Sequence, residues 1–449
     1  LKGYTKQEIS WMMYDWANSA HSVIVVTLLP IFFDTVAGYT ADSVSSMSTW
    51  GYATSIAMAI VALSAPFLGV FGDIRGMRKR LFALFVGIGV VAVALLSFTP
   101  MMDFMSSTAA AGRVAGLILA LYIVSVIGFD ASAIYYDAFL TDITTPERMD
   151  RVSTMGYGLG YIGGSTIPLV IFLLMNLAGV PMLTCLAVIF AITAVWWLVF
   201  SLPLLKNCRQ TSGKPYEKGD VGRSLRGVGA TVREIIANKP MLVYILAYFF
   251  YIDGVHTVIS MATTYGTNLG LDDTGMMLAL LLVQILGLPF CLLYIRLAAR
   301  FGARAMVGVG VCVYMFICVF AFFMRELWQF WLLAVLCATS QGGIQALSRS
   351  MFGKLLPDKD RSGEFFGFFD IFGKFSSIMG PALVGFVSAL VADRMLAEQG
   401  LTEATATAEQ VDAINAASGP YGILSVLLII LVGAVLYFFV LPKTLADKK

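Results

Sequence analysis

Ionisable and amide side chains standing inside long apolar runs are the residues of this sequence that could do chemistry. The chain has two histidines in 449 residues. His21 follows Asp15, Asn18 and Ser19 in "YDWANSAHSVIVVTLLPIFF", and His256 follows Asp253 in "DGVHTV". Asp253 and His256 are i, i+3 and Asp370 and Lys374 are i, i+4, so in a helix each pair shares a face; Asp130 and Asp137, two turns apart, share one as well. A histidine beside a shielded carboxyl group is equipped to take up and release a proton near neutral pH, which makes Asp253, His256 and Asp130 the proton-coupling candidates. A lysine ammonium in an apolar setting is equipped to hold a substrate carboxylate. Lys374 is therefore the anchor candidate, with Asp370 neutralising it when substrate is absent; a purely structural ion pair is the competing reading. Asn18, Gln284, Gln341 and Gln345 fall in the middle of their runs and, with His21, Asp130, Asp253, His256, Asp370 and Lys374, complete the expected substrate-binding set. Asp15, Asp137, Asp142 and Arg349 stand nearer the run ends, where gating or helix-end ion pairs are expected. For His21 a satisfied core residue, and for Asp253 with His256 a pair that only locks its helix, remain the alternatives.

The elements that must carry these residues are membrane-spanning helices. The composition is 59% apolar and only 13% charged, about half the charged share of a soluble domain. Apolar runs of roughly the 20 residues needed to cross a bilayer recur at 8–37, 48–72, 81–100, 113–141, 152–178, 181–205, 240–264, 273–298, 303–324, 327–353, 363–392 and 419–442. They are continuous rather than alternating, so they predict an all-α integral membrane protein and not a closed barrel. The first run is too long and too polar for a cleaved signal peptide. Apart from Arg113, Arg325 and Arg394, and Lys374 within a helix, every Lys and Arg falls on one side of this topology, which predicts that both termini are cytoplasmic. The basic stretch 206–239 separates an N-terminal six-helix bundle, 1–205, from a C-terminal one, 240–449. Within that stretch Val221, Leu225, Val228, Val232, Ile235 and Ile236 recur at helical spacing beside Arg223, Arg226 and Arg233. They predict an amphipathic helix on the anionic leaflet, with a solvated hinge as the alternative. The third, sixth, ninth and twelfth runs have no ionisable residue in their central portions and are expected to face lipid. "TAEQVDAINAASG", 407–419, is expected to form a short exposed helix of its own.

Between the second and third runs stands "GVFGDIRGMRKR", Gly69 to Arg80. It resembles the signature of the major facilitator superfamily, Gly-x-x-x-Asp-x-x-Gly-x-Arg-Lys, at Gly69, Asp73, Gly76, Arg78 and Lys79. Glycines there permit a tight turn, and an aspartate at a helix end can pair with cations or with a helix N-terminus. The corresponding "RLAARFGARA" of the second half keeps Arg300, Gly302 and Arg304 but has Ala299 in place of the aspartate. "YDWANSA", "DGVHTV", "YYDAFLTDI" (Tyr135 to Ile143) and "QALSRSMFGKLLP…EFFGFFDIFGK" (Gln345 to Lys374) are similar to segments of the vacuole-effluxer-like branch, the family of the autophagy-related vacuolar amino-acid exporter. The resemblance implies the major facilitator fold, two pseudo-equivalent six-helix bundles, and transport of amino acids or similar small solutes. Against that branch's pattern His21 replaces a phenylalanine, His256 a glutamine, Asp137 an amide and Asp370 an uncharged residue, so this chain has gained titratable groups.

No enzyme motif is present: there is no HExxH and no GxSxG nucleophile elbow. "GLGYIG", 158–163, lies inside an apolar run with no strand before it, so Gly156, Gly160 and Gly164 read as a small-residue packing face. "GFFDIFGKF", 367–375, lacks the Ser or Thr of a phosphate-binding loop. Six cysteines without paired spacing indicate neither a disulfide framework nor a zinc site. The expected function is a secondary active transporter for amino acids or related zwitterions, coupled to protons and monomeric, in contact with lipid but not nucleic acid, without cofactor or resident metal. A bacterial cytoplasmic membrane suits the compact loops. The alternatives are an organic-cation, drug or metal-related transporter and, in a different class, a non-transporting membrane sensor.

Overall fold

The computed structural model describes residues 2–40, 46–215, 220–401 and 407–446. Twelve helices long and apolar enough to cross a membrane follow one another along these residues. The first six are α1 (Lys6–Ala37), α2 (Thr49–Gly72), α3 (Met77–Met101), α4 (Thr108–Ile143), α5 (Pro146–Leu177) and α6 (Met182–Asn207). A linking helix, α7 (Asp220–Ala237), comes next. The remaining six are α8 (Lys239–Asn268), α9 (Thr274–Phe301), α10 (Ala303–Phe322), α11 (Leu327–Leu355), α12 (Lys359–Glu398) and α13 (Glu409–Leu445). Hydrocarbon offers the backbone no hydrogen-bond partner, so each apolar run closes its own bonds as a helix.

Local chemistry sets the helix ends. Thr5 and Glu8 form a reciprocal capping box at the start of α1, and Ser107 caps α4. Gly76, at φ 84°, turns the chain into α3 in a conformation that only glycine adopts freely. Short π-helical segments interrupt α1 at His21–Val25, α5 at Tyr161–Thr166 and α13 at Leu436–Val440. Such widenings recur at functional sites.

The chain divides into two compact units. The first comprises Leu1–Thr231 and Gly353–Ile371, the second Val232–Phe352 and Phe372–Lys449, so the beginning of α12 is counted with the N-terminal helices. In the first unit α3 packs along α4, and α1 lies against α5 and α6. An aromatic knot binds the helices: Trp11 stacks on Tyr136 at 4.3 Å, donates to the Tyr136 carbonyl, and neighbours Tyr14, whose hydroxyl meets Ser132 at 2.6 Å. In the second unit α13 packs against α8 and α10.

Three expectations are refined. Helices α3, α6, α10 and α13 each expose an apolar stripe, for example Leu84 and Val91 or Val195 and Leu202, but α2 (Ile56, Leu63) and α9 (Leu278, Ile285) expose one too. "TAEQVDAINAASG" is not a separate helix. Thr407 and Gln410 cap a helix that runs straight through Pro420 into the last span, because one interior proline does not end a helix supported by its neighbours. The linker does contain a helix, in which Thr231 and Ile235 are buried while Val232 and Ile236 are exposed. The side chains of Val221, Arg223, Leu225 and Arg226 lie outside the described residues.

Candidate functional site

The signature segment is the most elaborate polar site of the first unit. Gly69 lets two backbones touch: a methyl there would sit 2.2 Å from the Gly363 carbonyl oxygen, and one on Gly363 would sit 2.5 Å from that of Gly69. This approach brings Asp73 to the first turn of the helix at Ser362, where backbone N–H groups have no intrahelical partner and favour negative charge. Gly363 N–H donates to Asp73 at 2.7 Å and Glu364 N–H at 2.8 Å. Arg78, fully buried, crosses the middle. Its guanidinium donates to Asp73 at 2.9 Å, Asp142 at 2.5 Å, Ser362 Oγ at 2.8 Å, and to Ser212 and the Ala138 carbonyl at 3.2 Å. Asp142 is in turn held by both backbone and hydroxyl of Thr211 and by Ser212 N–H. Burial pushes the Asp73 carboxyl up to about 7, against the opposing pull of Arg78 and the two backbone donors. Gln210 ties Gly72, Gly76 and Arg78 together, and Gly213 N–H reaches Asp360. Lys79 instead caps the Cys208 carbonyl. The assembly is a latch between the 69–80 segment, the 208–214 strip and the head of α12.

Deeper in the same unit His21 is buried, with Nε2 at 3.2 Å from Ser125 Oγ and its ring stacked on Phe129 at 4.8 Å and tilted against Trp197 at 5.2 Å. It sits in an aromatic interior formed by α1, α4 and α6. Asp15, Asn18 and Asp130 are buried as well, and Asp137 is half-buried. The glycines of α5 press on this stretch of α1: methyls on Gly156, Gly160 and Gly164 would lie 2.4 Å from Asp15 Oδ2, 2.6 Å from Ser19 Oγ and 2.5 Å from Ser19 Cβ. This is the close packing that small residues permit in membranes.

In the second unit Asp253 of α8 is fully buried and accepts the Gly380 N–H of α12 at 3.0 Å. His256, one turn on, is half-buried and within electrostatic reach of Lys374. Gln284 and Gln341 line one cavity of about 100 Å³, otherwise walled mainly by apolar and aromatic groups such as Tyr265, Phe330 and Cys337. Gln345 is half-buried one turn beyond Gln341, and Arg349 is buried a further turn along. The units divide between Asp370 and Lys374, so Asp370 stands with the first and Lys374 with the second.

Several site residues are absent from the sequence reading. Gln210, Thr211 and Ser212 had no signal beyond being polar residues in a linker. Glu8 is buried under Arg148 at 2.6 Å and Thr144 at 2.7 Å, a pairing that spans 140 positions. Thr257 did have one: it lies one turn from Asp253, on the same face. Among the described residues no group of three His, Cys, Asp or Glu side chains is placed to hold a metal ion.

Comparison with known proteins places this chain among MFS-type transporters. The family profile described as "Vacuole effluxer Atg22 like" matches residues 4–394. The chain is 42% identical over 398 residues to the uncharacterized MFS-type transporter YxiO of Bacillus subtilis (strain 168), covering 87% of this chain and 90% of that one. It is 25% identical over 263 residues to autophagy-related protein 22-1 of Penicillium rubens, where the match spans 53% of this chain and 44% of the fungal protein. The major facilitator proton:xylose symporter XylE has the same fold, with a TM-score of 0.67 at 13% identity over 97% of this chain and 95% of that one. So has the human organic anion transporter MFSD10, with a TM-score of 0.63 at 15% identity over 96% and 99%.

Proposed function

The chain belongs to the vacuole effluxer Atg22-like family of MFS-type transporters, and we propose that it is a secondary active carrier of amino acids or related zwitterions. It works by alternating access and is driven by protons, in a bacterial cytoplasmic membrane with both termini in the cytoplasm. The observation that carries this reading is the placement of ionisable groups inside membrane-spanning helices of the second unit, with His256 within electrostatic reach of Lys374. Buried Asp253, half-buried His256 and Lys374 lie on α8 and α12. A charge in the hydrocarbon region costs from a few to more than ten kcal/mol when unpaired, so such groups are retained for transport rather than for stability. In this reading Lys374 meets the substrate carboxylate and Asp253 or Asp130 its ammonium, and proton uptake by Asp253, His256 and Asp130 couples the gradient to movement. Asn18, His21, Gln284, Gln341, Gln345 and Asp370 supply the remaining substrate contacts.

The latch supplies the conformational half of the mechanism. Asp73, Arg78 and Asp142 hold the 69–80 segment to the head of α12 in one state and release it in the other, with Asp15, Asp137 and Arg349 as further gate residues. Radiolabelled amino-acid uptake into proteoliposomes under an imposed pH gradient tests the reading. The parent protein accumulates substrate and Lys374→Ala does not. Uptake of an organic cation that survives Lys374→Ala would replace the zwitterion with a cationic substrate; no solute movement under any gradient would leave a sensor.

A further inference from the structure

Two buried oxygens one turn apart on α8 of the second unit meet no hydrogen-bond partner. Asp253 gives one carboxylate oxygen to Gly380 N–H, but its Oδ2 meets no donor, and the Thr257 hydroxyl, one turn along α8, meets no partner either. Both residues are fully buried. The Thr154 hydroxyl of the first unit is likewise unanswered, but many other buried carboxylates and hydroxyls find partners. Asp73 and Asp142, the buried carboxylates of the latch, have donors on both oxygens. The hydroxyls of Thr54, Thr193 and Thr339 bond back to a carbonyl of their own helix, the usual resort of threonine in a membrane helix. Facing the pair on α12 is Gly380, followed by Pro381. Proline has no N–H, so the Ser377 carbonyl one turn earlier loses its helical partner. Only glycine lets the α12 backbone come this close to the pair: a first side-chain carbon at 380 would overlap Thr257 Oγ1 at 1.8 Å and lie 3.0 Å from Asp253 Oδ1.

We propose that Asp253, Thr257 and the α12 backbone at Ser377 to Pro381 form a sodium-binding site. The donor set is all oxygen, which suits a hard cation, and backbone carbonyls that lack a helical partner are a recurring ligand of sodium in carriers. A proton on Asp253 would answer one of these oxygens, whereas a dehydrated monovalent cation answers carboxylate, hydroxyl and carbonyl together. One carboxylate balances one positive charge, and Lys374 and His256 nearby disfavour a divalent ion. The close approach of the Gly380 backbone to Thr257 and Asp253 suits the smaller ion, sodium rather than potassium. This deepens the proposed function by naming a coupling ion that competes with the proton at Asp253.

The test is equilibrium binding of ²²Na⁺ to the purified full chain in sodium-free choline buffer, with potassium and choline as competitors, alongside the uptake assay. Saturable binding is expected, displaced by potassium at least about tenfold less effectively than by sodium, and absent in Asp253→Asn and Gly380→Ala. Thr257→Val keeps the shape and removes one ligand, so affinity falls about tenfold or more, while Thr257→Ser stays within about threefold of the parent. No saturable binding by the parent, or equal binding by Thr257→Val, overturns the site. Absent sodium binding with intact proton-driven uptake overturns it and leaves the carrier standing; sodium binding without uptake of any solute does the reverse.

Discussion

Gly69→Ala isolates the latch from everything else in the first unit. The added methyl would lie 2.2 Å from the Gly363 carbonyl oxygen, where ordinary contact begins at 3.4 Å, so the two backbones must separate by about an ångström. Neither atom is a flexible side-chain end that can swing aside. The bonds from Gly363 and Glu364 to Asp73, now 2.7 and 2.8 Å, then stretch beyond hydrogen-bond range. Burial of the Asp73 carboxyl offsets part of the gain from its charge, so each bond is taken at the ordinary net value of about 1 kcal/mol. Losing both amounts to about 2 kcal/mol, or about thirtyfold in the equilibrium between closed and open latch. Hydrogen exchange read by mass spectrometry on a peptide covering 360–370 measures this directly. First-turn amides have no intrahelical acceptor, so their protection comes from Asp73. Protection at these two positions should fall about thirtyfold in Gly69→Ala. Gly76→Ala is the control for strain alone: it has φ 84° but open space around it. Equal protection in parent and Gly69→Ala would refute the claim that backbone contact builds the latch.

The same two amides report the charge state of Asp73. The closed latch raises its carboxyl to about 7, and release into water returns it to the ordinary carboxylate range near 4. The closed form therefore binds the proton more tightly, and this contribution is complete below about pH 4 and lost as pH rises through about 7. Protection corrected for intrinsic exchange should increase from pH 8 to pH 5 and become flat in Asp73→Asn. Gly163→Ala drives a methyl to 1.9 Å from the Trp16 ring, and should destabilise the first unit by about 1–3 kcal/mol in thermal unfolding. Cys208 is buried and its thiol is pushed up to about 12 by desolvation, so iodoacetamide at pH 8 should leave it unmodified until the protein is denatured.

The spans were legible because a bilayer imposes one requirement, length of apolar chain, that composition reveals directly. Asp73 was legible as well, since an acid beside placed glycines has few uses other than a helix N-terminus. What it bonds to was not: Gly363 and Glu364 lie 290 and 291 positions away, and nothing local marks them. The strip 208–214 read only as part of the linker because short polar residues look alike whether they meet water or, as Thr211 and Ser212 do, a buried aspartate. His21 drew attention as a rare ionisable group, yet an imidazole ring is also a flat aromatic surface, and Phe129 and Trp197 use it as one.

Gly69 and Gly363 show why such a site escapes a reading confined to one stretch of chain. Either glycine alone is compatible with a turn, a helix end or no constraint. Their meaning is joint: each removes the side chain that the other's carbonyl oxygen would strike, at 2.2 and 2.5 Å. The contact has little attraction of its own, since it sets carbonyl against glycine. Its consequence is geometric, for it brings Asp73 within reach of two unpartnered amides and lets Arg78 span both carboxylates and Ser362. The alternating-access cycle proposed above is better served by bonds contingent on such an approach than by an apolar seam, because separation by about an ångström breaks the directional bonds together. The latch is therefore expected to behave as a two-state element, with Gly69, Asp73 and Arg78 substitutions acting non-additively on one equilibrium.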